Sequence, residues 1–254
     1  MNKKAVKILE ETIIFSNQNN LYRNSHISDY TNFEYKPVKG IQPVIEFTTE
    51  KTQDAYIRNI GSGGIVLHNF ASGHNPGGGV RRGAPAQEED LCRCSNLLLE
   101  LDRFPQFYED NRNYKDGAEC LDKMIFSEIC LIKDGNYKFW HREDVPVLPT
   151  VSVITYMAPS ISKGVSHEDS QKIIARRLRH IIHKTNKVGA NVLITGAWGC
   201  GAYGNDPAAV ANIYADVIKE GTGNIKKIVF AVYGNEDNQR EFLRVANMFQ
   251  KQEI

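Results

Sequence analysis

No stretch of this chain approaches the roughly 20 consecutive apolar residues that a membrane-spanning helix needs. Nor does a strong charge of either sign stand out, since the formal net charge is +1 at pH 7. That balance implies no large basic surface, and bulk nucleic-acid binding is not expected. The five cysteines, Cys92, Cys94, Cys120, Cys130 and Cys200, form no Cys-x-x-Cys pair. Their odd number fits a reduced protein better than a disulfide scaffold. The opening Met1-Asn2-Lys3-Lys4 leads into an amphipathic stretch broken by Glu10 and Glu11, which is not a signal peptide. A cytoplasmic protein with no membrane association is the expectation. Gly-x-x-x-x-Gly-Lys-Ser/Thr is also missing, which argues against a P-loop nucleotidase.

At 254 residues the chain is long enough to bury a sizeable core. We expect an N-terminal extension over residues 1–60 packed on a core of residues 61–254, a single domain overall. Val6, Leu9 and Ile13 stand at helical spacing, followed by an irregular segment to about residue 50. Ile65 to Phe70 reads as a buried strand, 123–133 and 150–157 as further strands. From Gln87 a helix carries Leu91, Cys94, Leu98 and Leu101 on one face. Ser166 and Asp169 resemble a capping box before a long helix whose Arg176-Arg177-x-Arg179-His180 run reads as surface. Residues 191–233 then read as strand, glycine loop, helix and strand, the helix opening on an Asp206 cap and Pro207. The final helix carries Phe242, Val245 and Phe249. Strands alternating with helices predict an α/β fold with a mixed sheet between helical layers.

Two glycine-rich loops are the features most suggestive of function. One runs Gly77-Gly78-Gly79 and, seven residues on, Gln87-Glu88-Glu89; the other runs Gly196-Ala197-Trp198-Gly199-Cys200-Gly201-Ala202-Tyr203-Gly204-Asn205. A glycine loop between a strand and a helix exposes backbone N–H groups to an anion such as phosphate. Two such loops with a carboxylate pair suggest a ligand carrying a pyrophosphate, with both loops serving one pocket. Glu88 and Glu89 at a helix start also have a plain reading, as partners of the helix dipole. Glycosidic chemistry would use them differently. It needs an acid for the departing oxygen and a base for water, and one carboxyl group can serve both in turn. Trp198 and Tyr203 could wall a ribose or base. Arg81 and Arg82 could counter phosphate charge or face solvent. Gly199-x-Gly201-x-x-Gly204 nominally matches a dinucleotide fingerprint, but no acidic residue stands at the end of the next strand. His68, His74, Cys92 and Cys94 match no zinc spacing.

Together, Asn69-Phe70-Ala71-Ser72, Asn75-Pro76-Gly77-Gly78-Gly79, Gln87-Glu88-Glu89 and Gly196 to Pro207 resemble poly(ADP-ribose) glycohydrolase, in its bacterial-type, macrodomain-only branch. The resemblance covers about residues 60–250. It implies a macrodomain-like three-layer α/β/α sandwich and hydrolysis of ribose–ribose O-glycosidic bonds, mainly from the chain end, releasing ADP-ribose. By position it makes Glu89 the acid/base and Glu88 the holder of ribose hydroxyls. Substrate contacts are expected from Asn69, Asn75, Gly77, Gly78, Gly79, Gln87, Gly199, Cys200, Gly201, Ala202, Tyr203, Gly204, Asn205 and Phe230. Tyr203 stands where the family usually has phenylalanine, and Phe230 and Tyr233 are the adenine candidates. No metal or other cofactor is implied. The expected partners are the ADP-ribose polymer or ADP-ribosylated macromolecules, met by a monomer. The alternatives are an ADP-ribose-binding module without catalysis, a hydrolase of mono-ADP-ribosyl linkages, and a more distant nucleotide-dependent oxidoreductase.

Overall fold

The computed structural model describes residues 2–21, 24–114, 119–139 and 148–250. Its elements run α1 (Lys3–Gln18), β1 (Ser25–Asp29), β2 (Val44–Thr48), α2 (Thr52–Asn59), β3 (Ile65–Phe70), α3 (Gln87–Cys94), α4 (Leu97–Leu101), α5 (Pro105–Asn113), β4 (Lys123–Cys130), β5 (Thr150–Tyr156), α6 (His167–Lys187), β6 (Val192–Thr195), α7 (Pro207–Glu220), β7 (Lys227–Ala231) and α8 (Glu236–Gln250). The chain divides into two compact units: Met1–Asp29 with Asn69–Met157, and Tyr30–His68 with Ala158–Ile254. No helix among the described residues is long and apolar enough to cross a membrane.

In the first unit β1, β4 and β5 pair antiparallel in that order, Ser25 opposite Ser127 and Ile125 opposite Thr155. Met124, Ile125, Ile129, Val153 and Ile154 are buried, as are Leu91, Leu97, Leu98 and Leu101 on α3 and α4. Helix α1 packs on α3 and on the 3-10 turn Val80–Arg82. Thr12 donates its hydroxyl to the Arg93 carbonyl at 2.6 Å, and buried Arg93 answers by donating to the carbonyls of Ala5 and Ala84. The N-terminal helix is thereby tied to the helix that carries the two glutamates.

In the second unit β3, β6, β7 and β2 pair parallel, Ile65 opposite Val192, Val192 opposite Lys227, and Lys227 opposite Val44. Every residue of β6 and Ile228 to Ala231 of β7 are buried, the mark of strands covered on both faces. Helix α7 crosses over from β6 to β7 and packs beside α6 and α8. Its Asp206 cap accepts from the Ala209 N–H at 3.0 Å and Pro207 opens the helix, as the sequence predicts. Ser166 likewise caps α6, accepting from the Asp169 N–H at 3.0 Å.

Three expectations change. The segment read as irregular to about residue 50 contributes β1 and β2, strands at the sheet edges, and Thr52–Asn59 form α2. Edge strands are paired on one side only, so neither shows a strong alternation. The helix expected from Gln87 breaks at Ser95 and Asn96. Ser95 is extended (φ −148°, ψ 173°), and the Asn96 side chain accepts from the Cys130 N–H at 2.7 Å. These short polar side chains compete with the helical ladder for backbone partners. In the basic run of α6, only part is surface. Arg177 and His180 are buried, His180 stacking on Tyr30 at 4.7 Å, and Arg179 pairs with Glu220.

Candidate active site

The first glycine loop closes over both glutamates. Strand β3 ends at Asn69 and Phe70, and Gln87 Oε1 accepts the Phe70 N–H at 2.9 Å, pinning the start of α3 to that strand end. Gly77 and Gly78 take successive left-handed conformations (φ +65° and +57°), which folds the chain back over α3. A Cβ on Gly78 would stand 2.6 Å from Glu89 Oε1 and 3.0 Å from Glu88 Oε2, so this backbone lies directly on the two carboxyl groups.

The two glutamates are held unequally. Glu88, 3% exposed, accepts the Ser72 N–H at Oε2 (2.7 Å) and the Asn69 amide at Oε1 (3.2 Å), and the Gly77 backbone adds a third hydrogen bond. Burial pushes its pKa up to about 8; these hydrogen bonds oppose the rise, and the neighbouring Glu89 charge adds to it. Glu89, 7% exposed, accepts the Gly79 N–H at Oε1 (2.8 Å), while its Oε2 takes no hydrogen bond among the described residues. A raised pKa taken alone would mark Glu88 as the proton donor. The geometry argues otherwise, because both its oxygens are already engaged by protein donors, whereas Glu89 Oε2 is left for other chemistry.

Asn69 and Gln87, expected to touch substrate, also hold parts of the protein. Asn69 is fully buried, its amide committed to Glu88 and to Thr155 Oγ1 (3.2 Å), so it supports a carboxylate. The Gln87 carboxamide oxygen is used by Phe70. Asn75 is exposed at the loop tip, where its N–H donates to Ser72 Oγ at 3.2 Å. Ser72 and Thr155, not singled out from sequence as holding a carboxylate, prove to belong to this cluster. Ser72 stood within the quoted motif, whereas Thr155 gave no local signal because its role depends on β5 lying beside Asn69.

The second glycine loop follows β6 and leads into α7. Gly199 and Gly204 are left-handed (φ +79° and +73°), and a Cβ on Gly196 would stand 2.5 Å from the Ala231 carbonyl. The N–H groups of Gly199, Gly201 and Ala202 have no hydrogen-bond partner among the described residues. With the α7 N-terminus they form an anion-receptive stretch of backbone. Cys200 is half-buried, its thiol pushed up to about 12 by burial, so it is not a thiolate nucleophile. Tyr203 is half-buried and its carbonyl accepts from the Ser162 N–H at 3.2 Å.

Two residues expected at this loop's ligand, Asn205 and Phe230, are buried. Asn205 is buried and donates to the Pro159 and Gly199 carbonyls, both at 3.0 Å, while accepting from Ser170 Oγ. It clamps the loop and has no donor to offer a ligand. Phe230 is 0% exposed and packs edge-on against Tyr214 (5.4 Å) and Phe242 (5.1 Å), making it core. Trp198 is buried against the His68 ring at 4.7 Å. Tyr233 is exposed, with Lys51 Nζ 5.1 Å from its ring centre.

Comparison with known proteins fits this geometry. Residues 1–134, just over half of the chain, match the family described as microbial-type PARG, catalytic domain. No curated protein matches. Among solved structures, poly(ADP-ribose) glycohydrolase from Thermomonospora curvata is 26% identical with a TM-score of 0.84, covering 96% of this chain and 100% of its own. The same enzyme bound to the inhibitor ADP-HPD is 25% identical with a TM-score of 0.81, over 96% of this chain and 99% of its own. The Deinococcus radiodurans enzyme in complex with ADP-ribose is 26% identical with a TM-score of 0.75, over 89% and 94%. The expected macrodomain-like α/β fold, with strands of both directions, accords with these matches. By its family match the chain belongs to the microbial-type PARG catalytic-domain family.

Proposed function

We propose that this protein hydrolyses the ribose–ribose O-glycosidic bonds of poly(ADP-ribose), working mainly from the chain end and releasing ADP-ribose. The observation that carries the residue assignment is the asymmetry of the glutamate pair: Glu89 Oε2 has no partner among the described residues, and Gly79 holds the other oxygen at 2.8 Å. Glu89 protonates the departing ribose oxygen as the bond at the anomeric carbon breaks through an oxocarbenium-like state. The same carboxylate then takes a proton from the water that attacks that carbon. Glu88, buried and held by donors from Ser72 and Asn69, lies beside Glu89 and meets a ribose hydroxyl.

Gly77, Gly78 and Gly79 lie against the terminal ribose, where a side chain would collide with substrate or carboxylate alike. The N–H groups of Gly199, Gly201 and Ala202, without a partner among the described residues, suit a diphosphate, and Tyr203 lays its ring on a ribose. Asn75, exposed at the loop tip, contacts the ribose, and Cys200 lies beside the diphosphate as a neutral small residue. The protein acts as a monomer; its place is the cytoplasm, which its five unbridged cysteines support.

The test is incubation with poly(ADP-ribose) and chromatography of the products. Wild type releases ADP-ribose, and Glu89→Ala lowers the rate by about 10²–10⁴-fold. No release by wild type, or undiminished release by the variant, sinks the proposal.

A further inference from the structure

The loop that covers Glu89 carries two adjacent arginines with different fates. Arg81 donates to Asp102 at 2.6 Å and to the Pro76 carbonyl at 3.3 Å, so it braces the loop. Arg82 is exposed, and its side chain has no ion pair or hydrogen bond among the described residues. It is nonetheless well placed. Residues 80–82 form a 3-10 turn closed by left-handed Gly83, with the Arg82 N–H donating to the Gly79 carbonyl at 2.9 Å. Side chains three apart in such a turn eclipse one another. Because Gly79 has none, the guanidinium can lean over it. A Cβ on Gly79 would stand 3.5 Å from Glu89 Oε1 and 3.8 Å from Arg82 Nη2. The Arg82 cation and the proposed acid thus flank one point.

We infer that Arg82 is a specificity-determining residue that binds a phosphate of the ADP-ribose unit on the leaving side of the scissile bond. The inference rests on the hydrolase reading above and names what distinguishes its substrate. In the polymer, the oxygen that Glu89 protonates belongs to the adenosine ribose of the preceding unit. The exocyclic carbon of that ribose carries the next diphosphate. A cation beside the acid therefore meets an anion when a further unit is present, and none when the leaving group is a neutral alcohol. A guanidinium suits this task because its fork of donors matches phosphate oxygens. Arg82 takes no part in proton transfer and touches only the chain that departs. Its effect should therefore appear as polymer preference.

The experiment compares two substrates: poly(ADP-ribose), and an aryl ADP-ribose whose phenol leaving group has no phosphate. Arg82→Ala is expected to lower kcat/KM on the polymer by about tenfold, the loss of one charge-assisted contact, and to flatten its decline with added salt. The loss on the aryl substrate stays several-fold smaller, and Arg82→Lys recovers part of the polymer activity. Equal losses on both substrates, or no loss on the polymer, overturn the inference. A second arm measures binding in a Glu89→Gln background, comparing a two-unit ADP-ribose oligomer with free ADP-ribose. Arg82→Ala should weaken the first and spare the second, and equal effects also overturn it. An inactive wild type defeats the hydrolase reading, and the binding arm then decides Arg82 by itself.

Discussion

The backbone N–H of Gly79 donates to Glu89 Oε1 at 2.8 Å, across ten residues of chain that pass through the turn Val80–Arg82 and enter helix α3. That hydrogen bond fixes one carboxylate oxygen, and the other has no partner among the described residues. It is made possible by left-handed Gly77 and Gly78, which bring the loop down onto the helix start.

Gly78→Ala should cripple the enzyme while leaving it folded. The left-handed backbone costs about 1–2 kcal/mol for an alanine, and the new methyl would meet Glu89 Oε1 at 2.6 Å. Displacing the carboxylate by a fraction of an ångström should lower kcat by about 100-fold. Gly189 is also left-handed (φ +73°) but open around its Cβ position. Gly189→Ala is the control, with a comparable drop in thermal stability and near-normal kcat.

Glu88 should make stability depend on pH. Its folded-state pKa is raised to about 8, above the ordinary carboxylate value. Between about pH 4.5 and 8 the folded protein keeps a proton that the unfolded chain has lost, so stability falls as pH rises through that window and levels off above it. Glu88→Gln removes this slope. Denaturant melts from pH 5 to 9 should show the wild-type curve falling against the variant by a few kcal/mol. Parallel curves would refute the assignment.

Asn205→Ala should act on the diphosphate loop through its clamp. The change strands the Pro159 carbonyl and the Ser170 hydroxyl and removes one of the two donors to the Gly199 carbonyl. Stability should fall by about 2–4 kcal/mol. Calorimetric titration with ADP-ribose should show about tenfold weaker binding, because the loop backbone loses its fixed shape.

Phe230→Leu separates a core role from a ligand role. Loss of edge-on packing with Tyr214 and Phe242 should cost about 1–2 kcal/mol of stability. Affinity of the folded variant for ADP-ribose should match wild type. A tenfold loss of affinity at unchanged melting temperature would restore the residue to the ligand pocket.

Much of the local architecture could be read directly from the chain. Asp206-Pro207 announced the start of α7, and Ser166 announced α6, because a cap is decided by neighbours a few residues away. Apolar runs announced β3, β6 and β7 for the same reason. The break of α3 at Ser95 and Asn96 could not be seen, since Asn96 is drawn to the backbone of Cys130, a partner 34 residues distant. Edge strands β1 and β2 were invisible because their register is imposed by β4 and β7.

The sequence by itself determined the chemistry on offer: two glycine loops, a carboxylate doublet and a capped helix after the second loop. Only the tertiary structure decided how those groups are used. It gave Glu88 to a cage of protein donors and left Glu89 an open oxygen. It also turned Asn69, Asn205 and Phe230 inward. Residue type fixes what a side chain can donate or accept, whereas burial and the partners it meets depend on segments far apart in the chain, which no local pattern records.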